Sequence, residues 1–109
     1  HDQVRQVFGD LGAAVHENAR AHGFWDEPRN DGEMIALMHS ELSEALEAVR
    51  HGNPKSDHIL EFTGLEEEFA DVIIRILDMA HARGCRLGSA ILAKMAFNAE
   101  RPHKHGKKF

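Results

Sequence analysis

Apolar residues recur at intervals of three and four positions in four separate stretches of the chain, the spacing that is typical of amphipathic helices. The first stretch predicts a helix from Asp2 to about Ala21, ended by Gly23. Its apolar positions are Val4, Val7, Phe8, Leu11, Ala14, Val15 and Ala19. The segment 24–32 that follows is rich in turn-forming residues and predicts a loop.

The second stretch predicts a helix from about Gly32 to Arg50. Asp31 is the N-cap candidate at its start, and the run 51–54, which contains glycine and proline, stops it. The apolar stripe of this helix consists of Met34, Ile35, Met38, Leu42, Ala45, Leu46 and Val49. A further loop is expected over 51–64.

The third predicted helix, from about Leu65 to Arg83, is apolar around most of its circumference, and Gly84 is its natural C-cap. Such a helix is usually buried on more than one side, and a chain of 109 residues hides that surface most easily against a second copy. We therefore expect a homodimer or homotetramer. A fourth helix is predicted from about Ser89 to Glu100.

No period-two alternation suggests a sheet, so the predicted fold is all-α: one domain over 1–109, built as a four- to five-helix bundle. The net charge of −5 argues against a nucleic-acid partner. The chain has no apolar run long enough for a membrane span. Cys85 is the only cysteine, which excludes an intrachain disulfide and a paired-cysteine zinc site. We expect a soluble, cytoplasmic protein.

Two acidic pairs carry the candidate chemistry. Glu41 and Glu44 are three residues apart on the second helix, and Glu68 and Asp71 repeat that spacing on the third. Glu41 lies beside the core-facing stripe, where an unpaired carboxylate is costly. Two such pairs facing one another can supply oxygen ligands for Mg²⁺, with Mn²⁺ as a substitute. Exposed acids are also common on helices, and Glu67 is expected in solvent.

The amino-acid sequence around these pairs resembles that of the MazG-like nucleotide pyrophosphohydrolases. The similar blocks are HSELSEALEAVR (39–50), LEEEFADVIIRILDMA (65–80) and KMAFNAERPHKHGKKF (94–109). The resemblance implies an oligomer of four- or five-helix subunits. It also implies Mg²⁺-dependent cleavage of a ribo- or deoxyribonucleoside triphosphate between the α and β phosphates. The products are then the monophosphate and pyrophosphate, and the expected role is cleansing of the nucleotide pool.

The resemblance also implies roles for single residues. Its acidic pairs correspond to Glu41, Glu44, Glu68 and Asp71 as metal ligands, and we take Glu41 and Glu44 as the catalytic candidates for activating water. The residues that correspond to its phosphate- or sugar-binding groups are Lys94, Asn98 and Arg101. Their spacing of four and three places these three side chains on one helical face.

Trp25 and Asp78 complete the set of substrate-binding candidates. Trp25, the only tryptophan, can stack on a nucleobase or can pack the first helix onto the bundle. Asp78 continues the line of Asp71 and Arg75 along the third helix, so it can touch the substrate or join a network of ion pairs.

Three alternatives remain at this stage. The first is a non-catalytic helical dimerisation module that binds nucleotide or metal. The second is a relative of the dUTPase or phosphoribosyl-ATP pyrophosphatase type, because the acidic pattern is shared across that superfamily. The third is a nucleic-acid-binding protein that uses the basic segment 94–109, which the net negative charge disfavours.

Overall fold

The computed structural model describes residues 2–108, and these residues form an all-helical structure, as predicted. The elements are α1 (Asp2–Ala21), α2 (Asp31–Arg50), α3 (Gly64–Ala82), α4 (Leu87–Ala99) and a short 3-10 helix (His103–Gly106). Within the described range the only β-type pairing is an isolated bridge between Lys55 and Thr63. No helix in this range has the length and the apolar character needed to cross a lipid bilayer.

The helix ends follow local capping chemistry. Gly23 (φ 84°) and Gly84 (φ 68°) adopt the left-handed conformation just past α1 and α3, as predicted for these two glycines. The N-cap of α2 is Asn30, whose Oδ1 accepts a hydrogen bond from the Glu33 amide at 3.0 Å, so the prediction of Asp31 as the cap was wrong by one residue. Thr63 caps α3 in a capping box with Glu66.

The third helix lies between α1 and α2 and runs antiparallel to both. Along α2, contacts with α3 pair Arg83 with Asp31 and Arg75 with Glu41, in reverse order along the two helices. On the other side of α3, the His16 ring bonds to Asp78. The fourth helix packs on the start of α1, where a Cβ on Gly88 would stand 3.2 Å from the Arg5 Cα, so a larger residue here would push the two helices slightly apart.

A single chain has a thin core. The buried apolar side chains among the described residues are Met34, Ala45 and Leu77. The radius of gyration is 16.2 Å, against about 13 Å for a compact chain of this length. The accessible surface is 8377 Å², against about 6,100 Å² for a folded monomer of this mass. The chain therefore exposes more surface than a compact monomer does.

Part of that surface is an apolar face of α2 and α3. We call it the α2–α3 face, and it consists of Ile35, Leu42, Leu46, Val49, Phe69 and Ile73, each about half exposed. At about 100° per residue, Phe69 and Ile73 point to the opposite side of α3 from Asp71. Contact with α1 and α2 therefore leaves part of the apolar surface of α3 open.

Candidate functional site

Three of the predicted metal ligands come together between α2 and α3. One carboxylate oxygen from each of Glu41, Glu68 and Asp71 lies within 4.8 Å of the other two, and all three side chains are half-buried. We call these residues the carboxylate cluster. Their convergence follows from the packing, because Glu68 and Asp71 are one turn apart on α3 and Glu41 faces them from the antiparallel α2.

The carboxylate cluster carries more negative charge than the surrounding protein compensates. Burial raises the pKa of Glu68 to about 7, and a hydrogen bond with Asp71 and the charges of Glu41 and Asp71 act in the same direction. Within the described residues the cluster has one ion pair, in which Arg75 Nη2 and Nε lie 3.1 and 3.2 Å from Glu41 Oε1. The site therefore favours the arrival of a proton or a cation.

Glu44 lies outside the carboxylate cluster. It is on α2, one turn after Glu41, but its side chain is exposed and contributes no oxygen to the group. Residues three apart on a helix differ by about 60° in direction, so the packing that turns Glu41 toward α3 turns Glu44 toward solvent. The structure thus brings together three of the four predicted ligands.

A cleft of about 480 Å³ lies beside the cluster, over α3 and between α1 and α2. Glu41, Asp71 and Arg75 form its acidic and basic side, and Asp78 and Arg29 also line it. The remaining lining residues are Ala14, Val15, Asn18, Ala19, Phe24 and Ile74. Its volume falls within the range of about 300–1,000 Å³ found for small-molecule sites.

Asp78 lines the cleft, but its oxygens are already bonded to protein groups. Trp25 Nε1 donates to both oxygens at 3.0 and 3.1 Å, and His16 Nδ1 lies 2.8 Å from Oδ1. The Arg29 guanidinium lies 3.6 Å from Oδ2. Asp78 is only 7% exposed. These contacts tie α1 and the loop before α2 to the middle of α3.

Trp25 is engaged by the same group of residues. Besides its bond to Asp78, its ring lies 5.1 Å from the Arg29 guanidinium and 5.7 Å from that of Arg83, and it meets the His16 ring edge-on. Of the two roles predicted for Trp25, these contacts fit packing of the loop against the bundle.

The predicted phosphate-binding residues lie away from the cleft in a single chain. Lys94 Nζ lies 4.5 Å from the centre of the Phe97 ring, and the Arg101 guanidinium lies 5.5 Å from the same ring. Neither of these residues nor Asn98 is among the residues that line the cleft. The fourth helix packs against α1, which places this face apart from the carboxylate cluster.

Glu67 was expected in solvent, and this was wrong. Its carboxylate accepts hydrogen bonds from Ser56 Oγ and from His58 Nδ1, the latter at 2.7 Å. These bonds lower the pKa of Glu67, and the same carboxylate raises the pKa of His58. Ser56 Oγ also accepts from the amides of His58 and Ile59, so it closes the loop onto α3. No spacing in the sequence indicates this contact.

Comparison of the chain with family models, with curated proteins and with solved structures gave no match. The resemblance to MazG-like proteins therefore stays a prediction that rests on the sequence blocks alone.

Proposed function

We propose that this chain is a Mg²⁺-dependent nucleoside triphosphate pyrophosphohydrolase that releases a nucleoside monophosphate and pyrophosphate. The observation that carries this proposal is the convergence of Glu41, Glu68 and Asp71 beside a cleft of ligand size. The sequence blocks that resemble MazG-like proteins give the reaction type. The expected biological role is cleansing of the nucleotide pool.

The donor set fits Mg²⁺, or Mn²⁺ in its place. The cluster offers only carboxylate oxygens, which are the hard ligands that these ions prefer. Burial, together with the neighbouring carboxylates, raises the pKa of Glu68 to about 7. A cation that takes the place of the proton relieves the excess negative charge of the cluster. A bound Mg²⁺ supplies charge neutralisation for phosphate oxygens and lowers the pKa of water.

The residues of the chain then have separate tasks. We propose that Glu41, Glu68 and Asp71 hold the ion, and that Glu41 or Glu44 accepts the proton of the attacking water. Arg75, bonded to Glu41 and lining the cleft, brings positive charge to the phosphates. The apolar side of the cleft limits access of bulk water.

We also propose that the protein is a homodimer or homotetramer, in which the α2–α3 face is covered by a second copy. The surface in excess of a compact monomer is about 2,300 Å² per chain, which is in the range of obligate interfaces. Because Lys94, Asn98 and Arg101 lie away from the cleft of their own chain, we propose that they reach phosphates from a neighbouring copy. Sedimentation of wild type and Leu46→Glu tests this association.

The reaction is tested by incubating the protein with each ribo- and deoxyribonucleoside triphosphate and Mg²⁺, and by separating the products by chromatography. We expect monophosphate and pyrophosphate. Glu41→Gln and Glu68→Gln should lower kcat by at least a hundredfold, because each removes a charged ligand. Glu47→Gln is the matched control, since Glu47 lies on the same helix as Glu41 but pairs with Arg50 and His51 on the surface.

Diphosphate and phosphate as products would overturn the proposed bond cleavage. Equal activity of Glu41→Gln and Glu47→Gln would overturn the role of the carboxylate cluster. If no triphosphate is hydrolysed while Mg²⁺ still binds, the proposed substrate class is overturned, and a specialised substrate or a non-catalytic binding module takes its place.

A further inference from the structure

The side of the cleft formed by α1 and the following loop differs in chemistry from the side that holds the carboxylates. Glu41 of α2 lines one side of the cleft, and Ala14, Val15 and Ala19 of α1 line the opposite side. These are small apolar side chains, and together with Ile74 they form a wall without charge. A flat apolar molecule can lie against such a wall.

Phe24 stands at the edge of this wall with its ring 63% exposed. The ring contacts within the described residues involve the neighbouring Trp25 and leave Phe24 out. An exposed aromatic ring beside an apolar cleft is a surface on which another aromatic ring can stack. Base stacking was one of the two roles expected for Trp25, but its neighbour Phe24 has the open ring.

The backbone holds Phe24 in this position. The Phe24 amide donates to the Ala19 carbonyl at 3.1 Å, and the Gly23 amide donates to the Arg20 carbonyl at 3.0 Å. Gly23 has a φ of 84°, which a residue with a side chain rarely adopts. The next residue, Trp25, is fixed by Asp78. The backbone that carries the ring is therefore in place before any ligand arrives, which reduces the entropy cost of stacking.

Asn18 is a polar residue on the α1 side of the cleft. Its side chain is exposed, lines the cleft, and makes no side-chain hydrogen bond among the described residues. A carboxamide offers both a donor and an acceptor, so it can pair with the edge of a nucleobase.

We propose that Phe24, Asn18 and the small residues of α1 form a nucleobase subsite, in which Phe24 stacks on the base and Asn18 bonds to its edge. The inference rests on the proposed function, because it takes the carboxylate cluster as the phosphate end of the ligand. Its own content is that Phe24 and the small residues of α1 hold the base and that Asn18 sets the preference among bases.

The experiment measures binding of the four deoxynucleoside monophosphates and of 2-deoxyribose 5-phosphate, in the presence of Mg²⁺, by the emission of Trp25. The monophosphates are products of the proposed reaction, so binding is measured without turnover. Trp25 is the only tryptophan, so the signal comes from one place. The sugar phosphate shares the phosphate end and lacks the base.

We expect Phe24→Ala to weaken monophosphate binding by about tenfold, the usual effect of losing one stacked ring. Phe24→Tyr should restore it, and sugar phosphate binding should stay unchanged. Phe62→Ala is the matched control, because Phe62 is also exposed, at 47%, but lies in the loop before α3. Asn18→Asp should change the order of preference among the four bases, since it replaces a donor by a charged acceptor.

Equal weakening of monophosphate and sugar phosphate by Phe24→Ala, or no weakening of either, overturns the base subsite. The triphosphate assay on the same preparations separates this failure from that of the proposed function. If wild type and Phe24→Ala hydrolyse triphosphates with equal kcat/KM, the hydrolase stands and the subsite falls. If wild type neither binds monophosphates nor hydrolyses triphosphates, both fall.

Discussion

Two acidic regions, the carboxylate cluster and Asp78, follow one another along α3 and line the same cleft, but they have different protein partners. Asp78 is bonded to Trp25 and His16 and pairs with Arg29, so one carboxylate has three protein partners. In the carboxylate cluster, three carboxylates share the single ion pair with Arg75 that the described residues show.

This difference separates a structural carboxylate from a candidate functional one. A buried acid with enough donors is stabilised in its charged form and holds elements together. Acids that lack donors repel one another, and the raised pKa of Glu68 reports this repulsion together with its burial. Residue type and helix position are similar in the two regions, so the partners decide the role.

The largest expected effect tests the structural side of the comparison. Asp78→Ala should lower the free energy of unfolding by about 3 kcal/mol, because it leaves the Trp25 indole and the Arg29 guanidinium without their buried acceptor. Urea unfolding followed by circular dichroism measures this. Asp10→Ala is the control, since Asp10 accepts only an exposed bond from Gln6 and should change stability by less than about 0.5 kcal/mol. Equal losses in the two variants would contradict the anchoring role of Asp78.

The second prediction tests the functional side. Mg²⁺ at one hundred times its Kd should stabilise the wild-type fold by about 2.7 kcal/mol through mass action. Asp71→Asn should abolish this gain because it removes one of the three converging ligands. Glu44→Gln should keep most of the gain, because Glu44 lies outside the cluster. Thermal unfolding with and without Mg²⁺ measures all three proteins, and loss of the gain in Glu44→Gln alone would reverse the assignment.

The third prediction concerns the metal-free protein. Glu68→Gln should raise its free energy of unfolding at pH 8 by about 1 kcal/mol, since a neutral amide relieves the repulsion and partial exposure screens the rest. Asp78→Asn should have the opposite sign, because Asp78 has donors for its charge. Unfolding in urea with a chelator present gives both values. A loss of stability in Glu68→Gln would show that the cluster is not strained by charge.

The pH dependence of Glu68 has a definite sign. Its pKa in the folded protein, about 7, lies above the ordinary value of 4.5. Its stabilising contribution to the free energy of unfolding is therefore complete below pH 4.5. This contribution is lost as the pH rises through 7, because the unfolded chain then holds fewer protons than the folded one. The raised pKa of His58 acts in the same direction. The difference between wild type and Glu68→Gln over pH 5–8, measured without metal, isolates the contribution of Glu68.

The sequence predicted the helices well because their information is local. Apolar spacing gave all four helices, and two glycines marked helix ends where a positive φ is needed. The predicted N-cap of α2 was wrong by one residue because Asn30 and Asp31 are both good N-cap residues, and only the backbone conformation distinguishes them.

The site was less accessible from the sequence because its information is tertiary. Spacing identified acidic pairs, but the rotation of α2 against α3 decides that Glu41 enters the cluster and Glu44 does not. The partners of Asp78 and Glu67 come from a loop or from another helix, at separations that no pattern indicates. The role proposed for Lys94, Asn98 and Arg101 requires a second copy of the chain, which periodicity in one chain does not describe.

The smallest expected effect comes from Arg75, which lies between Asp71 and Asp78 along α3. Its guanidinium, about one-third exposed, supplies part of the charge compensation that a metal ion would supply. Arg75→Gln should therefore raise Mg²⁺ affinity by about two- to fivefold, the equivalent of one partly exposed ion pair. It should also lower kcat, because it removes the positive charge that we propose faces the phosphates. Calorimetric titration with Mg²⁺ measures the affinity. Arg83→Gln is the control, because Arg83 pairs with Asp31 at the far end of α3. If Arg75→Gln instead weakens Mg²⁺ binding, then Arg75 orients Glu41 for the ion more than it competes with it.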